Sequence, residues 1–290
     1  MLATLFTDPG CPWGYSANPD LTVLRWRYGP ALRWKVVMIG LAESGQRYVD
    51  AGYTPERMVA GYADFRRRFG MPFQAAPRSH VTGTGRACRA IVATRLQSPG
   101  LEWAALRALQ LHWFTTDLLL DEDDAALTAA LATVDGLDAA AVVAAIDTKA
   151  TEDAYQRDRA HSRTAAGGAT SYQGKSANTD GAERFTAPSV VFTTGTGQTL
   201  EAGGFQSLAA YDVCIANLDR TLPRRAPAES ALEVLQACPE GVTTQEVAAV
   251  LAPSLVEPDR SAAEHQLLDL FAAGQVRRTP MGDDALWRPA

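Results

Sequence analysis

The pattern of apolar and polar positions opens with a mixed α/β unit. The apolar run at residues 3–7 predicts a buried strand, and residues 12–29 carry apolar side chains at helical spacing, with a break near Asn18-Pro19. Residues 31–41 are rich in Val, Ile and Trp and predict a second strand. A strand, a helix and a strand in this order indicate a parallel strand pair joined by a crossover.

The pattern then becomes helical from about residue 54 to residue 163. We expect about five helices there, the first beginning at Thr54-Pro55-Glu56, which is a favourable helix start. Residues 165–185 are rich in Gly, Ser and Thr and predict a long loop or flap, and loops of that length in compact domains are usually functional or disordered. Two β-type runs around residues 194–197 predict a hairpin, and a closing helix follows it.

The chain ends with a segment of a different kind. Residues 223–229 are a candidate linker, so we predict one domain over residues 1–222 and a second unit over residues 223–290. Three predicted helices and a terminal strand pair, with a turn at residues 281–283, resemble a winged-helix module.

Composition and charge narrow the classes of function. Of the 290 residues 47% are hydrophobic and 21% charged, which is ordinary for a globular protein, and the net charge of -6 disfavours nucleic acid as the main partner. Residues 223–290 hold six arginines against ten acidic residues, so we expect this unit to contact a protein partner, form a homodimer or cover the site. The sequence shows neither a signal-peptide pattern nor an apolar run of about 18 residues, which predicts a cytoplasmic protein with reduced thiols and no membrane association.

The candidate chemistry lies in "DPGCPWGY", residues 8–15. Pro12 suits the first position of a helix, which makes Cys11 the residue that caps the helix N-terminus. The free N–H groups and the dipole at that end favour a thiolate, so we expect a lowered pKa for Cys11, and a buried structural cysteine is the alternative. Pro188 lies just before a predicted strand, where a proline can follow a cis peptide bond, which alone is a weak signal.

Taken together, these pieces resemble the DsbA-type branch of the thioredoxin superfamily, in particular FrnE-like proteins and relatives of 2-hydroxychromene-2-carboxylate isomerase. The resemblance covers residues 2–220 and rests on "TDPGCPWGY", "GRACRAIVATRL" and "APSVVFTTGTGQTLEAGG" in this order. It implies an α/β, thioredoxin-like fold with an all-helical insertion at about residues 54–163, followed by the winged-helix-like unit.

The resemblance also implies roles for individual residues. Cys11 would be the attacking thiol, Pro12, Trp13 and Gly14 would complete the thiol-binding turn, and the backbone of Ala187 and Pro188 would face Cys11 and align the substrate. The co-substrate would be a small thiol such as glutathione or mycothiol, with no tightly bound cofactor.

Departures from the family pattern leave several mechanisms open. Gly14 stands where the family has a second, resolving cysteine, and Cys88 stands where it has a histidine. Cys11 therefore exchanges disulfides with a borrowed small thiol, or binds and activates a thiol as in the transferase and isomerase relatives, or is resolved by Cys88. A further alternative is a degenerate domain that binds or regulates without catalysis. A cysteine on an amphipathic helix is most often a packed residue, so for Cys88 packing is favoured over resolving.

The histidines and acidic residues point to no metal site. The four histidines are isolated in the sequence, and residues 121–124, "DEDD", are better explained as a charged helix start. His80 joins the pocket at Cys11 only if the helix that follows it begins beside that residue.

Overall fold

The computed structural model describes residues 1–290, which form helices and short strands. The first half of the chain folds, in order, as β1 (Leu2–Thr7), α1 (Pro12–Ser16), α2 (Asn18–Tyr28), β2 (Arg33–Met38), α3 (Gln46–Asp50), α4 (Pro55–Phe69), α5 (Gly85–Gln97), α6 (Glu102–Thr115), α7 (Asp124–Leu131) and α8 (Ala139–Ala144). The second half continues as α9 (Lys149–Ser162), α10 (Ala169–Tyr172), β3 (Ser176–Ala177), β4 (Arg184–Phe185), β5 (Ser189–Thr193), β6 (Thr199–Ala202), α11 (Leu208–Leu218), α12 (Ala231–Ala237), β7 (Val242–Thr243), α13 (Thr244–Leu251), α14 (Arg260–Ala272), β8 (Val276–Met281) and β9 (Asp284–Pro289).

A four-stranded sheet in the order β2–β1–β5–β6 lies within residues 2–202. Strand β1 pairs parallel with β2 and antiparallel with β5, and Leu5 lies opposite both Val36 and Val190. All but the first residue of β1 are buried, as is typical of a central strand that is covered on both faces. The predicted parallel pair and the predicted hairpin, which forms between β5 and β6, are both confirmed.

The predicted helical block, residues 54–163, contains six helices, α4 to α9, where the pattern predicted about five. Its first long helix, α4, begins at Pro55 as expected, and the side chain of Thr54 accepts a hydrogen bond from the N–H of Arg57. An aromatic core joins this block to the start of the chain, with the ring of Tyr15 stacked on Phe114 at 4.7 Å. None of the helices has the length and apolar character needed to span a bilayer.

The segment predicted as a long loop or flap, residues 165–185, is instead folded. It contains α10 and a two-stranded hairpin of β3 and β4. The carboxylate of Asp180 lies between Arg163 and Arg184 and pairs with both. These ion pairs tie the hairpin to the end of α9, and a sequence pattern of small polar residues contains no sign of them.

Residues 223–290 form three helices and a three-stranded antiparallel sheet in the order β7–β9–β8. The three helices, the terminal strand pair and its turn were predicted, whereas the two-residue strand β7 was not. The unit has a core of its own around Val247 and Trp287, and this core includes Val23 and Trp26 from α2 of the first domain.

A buried ion pair fixes this unit to the first domain. The guanidinium of Arg107 in α6 donates to both carboxylate oxygens of Glu246 in α13, at 2.5 and 3.0 Å. Thr22 and the N–H of Thr243 also donate to Glu246, so each oxygen of this carboxylate has partners. Burial alone would raise the pKa of Glu246, but Arg107 and these donors hold it below its ordinary value.

Replacing Glu246 by Ala should lower the free energy of unfolding by about 3–5 kcal/mol, because Arg107 is then left buried without a counter-charge. Urea unfolding of the full chain measures this loss, with Glu264→Ala on the exposed side of α14 as the matched control.

The folded-state pKa of Glu246 lies below its unfolded value of 4.5. Its contribution is therefore present above about pH 4.5 and lost as the pH falls through the folded-state pKa. Equal losses of unfolding free energy in Glu246→Ala and Glu264→Ala would contradict a stabilising role for the Arg107–Glu246 pair.

Candidate functional site

Cys11 lies where β1 turns into α1, as the sequence predicted. It caps the N-terminus of α1, with Pro12 at the first helical position, and only 6% of its surface is exposed. The Sγ–H of Cys11 donates to the carbonyl oxygen of Ala187 at 3.4 Å, and the Ala187–Pro188 peptide is cis. The structure thus brings the turn at Cys11–Trp13 together with the backbone at Ala187 and Pro188, 176 residues away in the chain.

The expected lowering of the Cys11 pKa is wrong for this conformation. Burial raises the pKa of Cys11 to about 12, although the N–H groups of Gly14 and Trp13 favour the thiolate. The charge of Asp8 raises this pKa further and that of Arg184 lowers it. Helix-end geometry was predicted correctly, but removal of water from the sulfur outweighs it.

Asp8 supports the turn that carries Cys11. Its Oδ1 accepts from the N–H of Gly10 at 3.0 Å, and its Oδ2 accepts from the N–H of Leu41 at 2.8 Å and from Thr84 Oγ1 at 2.9 Å. The thiol of Cys88 lies 3.5 Å from the same Oδ2. Burial raises the pKa of Asp8, and the donors of Leu41, Gly10 and Thr84 oppose that rise. Asp8 thus connects the turn at Cys11 to the residues after β2 and to the start of α5.

Gly14 lies against the side chain of Thr7, which occupies space that the side chain of a second cysteine would need. A Cβ placed on Gly14 would lie 3.6 Å from the Cβ of Cys11, within the range that disulfides adopt. The same Cβ would lie only 2.8 Å from Thr7 Oγ1, which is closer than real Cβ contacts come. The absence of a side chain at residue 14 and the threonine at residue 7 are therefore a matched pair.

A cavity of about 320 Å³ opens beside Cys11. Six aromatic side chains line it, namely Trp13, Tyr48, Tyr53, Tyr62, Phe65 and Trp113. Arg57 is the one charged residue of the lining, and its guanidinium lies over the ring of Tyr53 at 5.1 Å. Trp13 is 38% exposed and packs edge-on against Phe65, so it forms the rim of the cavity.

Most of this lining was not found from the sequence. Part of the lining comes from α3 (Tyr48), the turn after it (Tyr53) and α4 (Arg57). No periodic pattern in the sequence shows that this segment folds back over Cys11. Trp113 lies near the end of α6, and of the six aromatic residues only Trp13 was named from the sequence.

The structure places His80 and Cys88 away from the cavity. His80 Nε2 lies 3.3 Å from Asp121 and 3.6 Å from Glu122, so the helix that follows His80 does not bring its ring to Cys11. These three groups could hold a cation by distance alone, but exposed acidic groups such as Glu122 are common beside a histidine and we assign no metal there. Cys88 is fully buried on α5, and burial followed by the charge of Asp8 raises its pKa well above the ordinary value. Cys11 and Cys88 are both free thiols and form no disulfide.

Comparison with known proteins now gives this geometry a context. The sequence profile of the DSBA-like thioredoxin domain family matches residues 4–168. A candidate protein disulfide isomerase from Nitrosomonas europaea has a similar structure, with a TM-score of 0.57 at 16% identity over 76% of this chain and 98% of its own. A candidate DsbA oxidoreductase from Streptomyces coelicolor has a TM-score of 0.55 at 17% identity over 79% of this chain and 93% of its own.

A third similar structure is the cytosolic disulfide reductase DsbM from Pseudomonas aeruginosa, with a TM-score of 0.51 at 17% identity over 77% of this chain and 98% of its own. At such identities these likenesses concern the fold. No curated protein sequence matches the chain.

Asp8→Asn should lower the pKa of Cys11, because the charge of Asp8 is one of the causes that raise it. Below the pKa each unit of lowering multiplies the thiolate fraction by about ten, so alkylation of Cys11 at pH 8 should become roughly two- to tenfold faster. The measurement is iodoacetamide labelling against pH, with the Cys11 peptide resolved by mass spectrometry. Arg184→Gln, which removes an opposing charge, should move the midpoint the other way. A midpoint that rises or stays constant in a folded Asp8→Asn variant would contradict this assignment.

Gly14→Cys should restore a local disulfide efficiently only when Thr7 is also shortened. The double variant Thr7→Ala, Gly14→Cys is expected to bond the new thiol to Cys11 after mild oxidation, and Gly14→Cys alone to do so less completely, because Thr7 Oγ1 crowds the new Cβ. Peptide mapping under non-reducing conditions gives the fraction bonded, with Thr7→Ala as control. Equal fractions in the single and double variants would show that Thr7 is not the obstacle.

Proposed function

The chain belongs to the DSBA-like thioredoxin domain family, and on that premise we propose that it is a thiol–disulfide oxidoreductase that works through the single thiol of Cys11. The observation that carries the proposal is the position of Cys11 at a cavity, facing the carbonyl of Ala187, with glycine at residue 14. Cys88 faces Asp8 and does not line that cavity, which favours a resolving thiol from outside the protein.

The exchange needs no oxidant beyond the substrate disulfide. The thiolate of Cys11 attacks one sulfur of a disulfide RS–SR′, a bond forms between Cys11 and SR, and R′S⁻ leaves with the electron pair of the broken bond. R′S⁻ takes up the proton that Cys11 lost. A second small thiol then attacks the SR sulfur, forms a new disulfide with it and releases Cys11. Metals and tightly bound cofactors have no part in this sequence.

The cavity supports a small molecule as the co-substrate. A volume of about 320 Å³ lies at the lower end of the range for small-molecule sites, and Cys11 is 6% exposed. Glutathione and mycothiol are the candidate thiols, and a cytoplasmic location, where such thiols are kept reduced, is part of the same proposal. Pro12, Trp13 and Gly14 would contact the bound thiol, and the backbone of Ala187 and Pro188 would align it.

The raised pKa of Cys11 favours a second candidate function. A thiol with a pKa of about 12 is protonated at neutral pH, and the thiolate is the nucleophile. A domain in this state would bind a ligand in the aromatic cavity without redox turnover, as a transferase, an isomerase or a non-catalytic regulator does. The two functions differ in whether Cys11 forms a covalent adduct.

We further propose that residues 223–290 are a winged-helix-like unit with a role in protein contacts. The order helix, strand, two helices and two strands supports the architecture. The turn of β8 and β9 packs on the first domain, where the N–H of Phe73 donates to Asp283 at 3.2 Å. With ten acidic residues against six arginines, the unit is a poor match for duplex DNA and a better one for a second copy or another protein.

Mass spectrometry after incubation with oxidised glutathione, oxidised mycothiol or 2,2′-dithiodipyridine tests the oxidoreductase. The wild type should gain one thiol at Cys11, and excess reduced thiol should remove it. Cys11→Ser should gain none there, whereas the matched control Cys214→Ser, at a partly exposed cysteine of α11, should behave as the wild type. Ligand binding without any adduct at Cys11 would favour the second function.

A further inference from the structure

A second cavity, of about 640 Å³, lies at the C-terminal end of α2. Its walls are the C-terminal end of α2, the 3₁₀ turn at Gly29–Ala31, the segment Pro223–Arg225 and the end of α12 at Cys238. It shares no lining residue with the cavity at Cys11. Both parts of the chain therefore meet around a space that the proposed redox chemistry does not use.

Four arginines line this cavity, Arg25, Arg27, Arg224 and Arg225, and no acidic residue does. Two carboxylates behind the wall balance part of the charge. Asp212 accepts from Arg27 at 2.5 Å and from Arg224 at 2.7 Å, and Glu240 accepts from Arg25 at 2.7 Å. A third carboxylate, that of Asp20, also acts on the charge of Arg27. Four cations against three anions leave an excess of positive charge at one place in a chain whose net charge is -6.

Arg225 carries the clearest part of that excess. Its side chain makes no ion pair, its guanidinium lies 4.6 Å from the centre of the Trp26 ring, and its backbone N–H donates to the carbonyl of Arg27 at 2.7 Å. The backbone bond and the stacked ring hold this cation at the wall of the cavity. A guanidinium with a stacked face still presents its N–H donors at its edge, where an anion can accept them.

We propose that this cavity is a binding site for a phosphorylated small molecule with at least two negative charges. Guanidinium groups bind phosphate oxygens through paired, charge-assisted hydrogen bonds. Arg224 and Arg225 are exposed at this cavity, whereas Arg27 is buried against Asp212. The volume suits a ligand of nucleotide size. Half-buried Trp34 adds an aromatic wall against which a ring of such a ligand can pack.

A ligand in this cavity would contact α2 and the segment that leads to the C-terminal unit at the same time. Binding would therefore stabilise the native junction between them, and ligands that bind only the folded state raise the melting temperature. This effect is independent of Cys11, so the proposal stands or fails separately from the oxidoreductase function.

The test is isothermal titration of the full chain at low ionic strength with inorganic pyrophosphate, with ADP and with a single-stranded oligonucleotide. Pyrophosphate and ADP should both bind and raise the melting temperature, and tighter binding of ADP would show that the ring contributes. Arg225→Gln should weaken binding at least about tenfold, since it removes a charge-assisted contact. Arg278→Gln is the matched control, because Arg278 of β8 is exposed, stacks on Trp287 at 5.6 Å and lies outside the cavity.

Three outcomes would overturn the site. The first is that neither pyrophosphate nor ADP binds. The second is that Arg225→Gln and Arg278→Gln weaken binding equally. The third is that the oligonucleotide binds and the two phosphate compounds do not. Circular dichroism and the melting temperature of each variant without ligand show that Arg225→Gln remains folded.

Discussion

The carboxylate of Asp8 accepts hydrogen bonds from groups far apart in the sequence, and the geometry of the site depends on it. Gly10 lies in the turn before Cys11, Leu41 follows β2, and Thr84 precedes α5. A buried carboxylate without such donors would be expensive, so the three segments can meet here only with these bonds in place. Asp8, three residues before Cys11, thereby joins the thioredoxin-like sheet to the helical insertion.

The same arrangement explains why Cys11 is poorly ionised in this conformation. Two causes raise the pKa of Cys11. The larger is the burial of its sulfur, and the other is the negative charge of Asp8. The N–H groups of α1 act in the other direction and are too few to prevail. Less burial of the sulfur, or more positive charge beside it, would favour the thiolate.

Much of the fold could be read from the chain because its signals are local. β1, the cap at Cys11, the hairpin after Pro188 and the helices of residues 223–290 each follow from a short stretch of sequence. The order of the first three of these stretches also carried the resemblance to the DsbA-type family, which the match over residues 4–168 confirms.

What could not be read depends on contacts between distant segments. The contact of Cys11 with Ala187 was implied only by the family resemblance. The cavity also involves Tyr48 and Trp113, which are far from residue 11 in the sequence and were not predicted there. The fold of residues 165–185 depends on Asp180 meeting arginines of its neighbours, and two-residue strands such as β7 are too short for any periodic pattern. Local sequence predicted where the thiol lies, and long-range packing decided its pKa.

Helix α2 shows how closely the C-terminal unit is joined to the site. One side of α2 packs Leu21 and Leu24 into the core of the first domain, and the other packs Val23 and Trp26 into the core of residues 223–290. The unit cannot leave without exposing that second side and the buried charge of Arg107. Only Ala17 separates α2 from α1, the helix that Cys11 caps. Residues 223–290 thus pack on the helix next to the one that begins at the thiol.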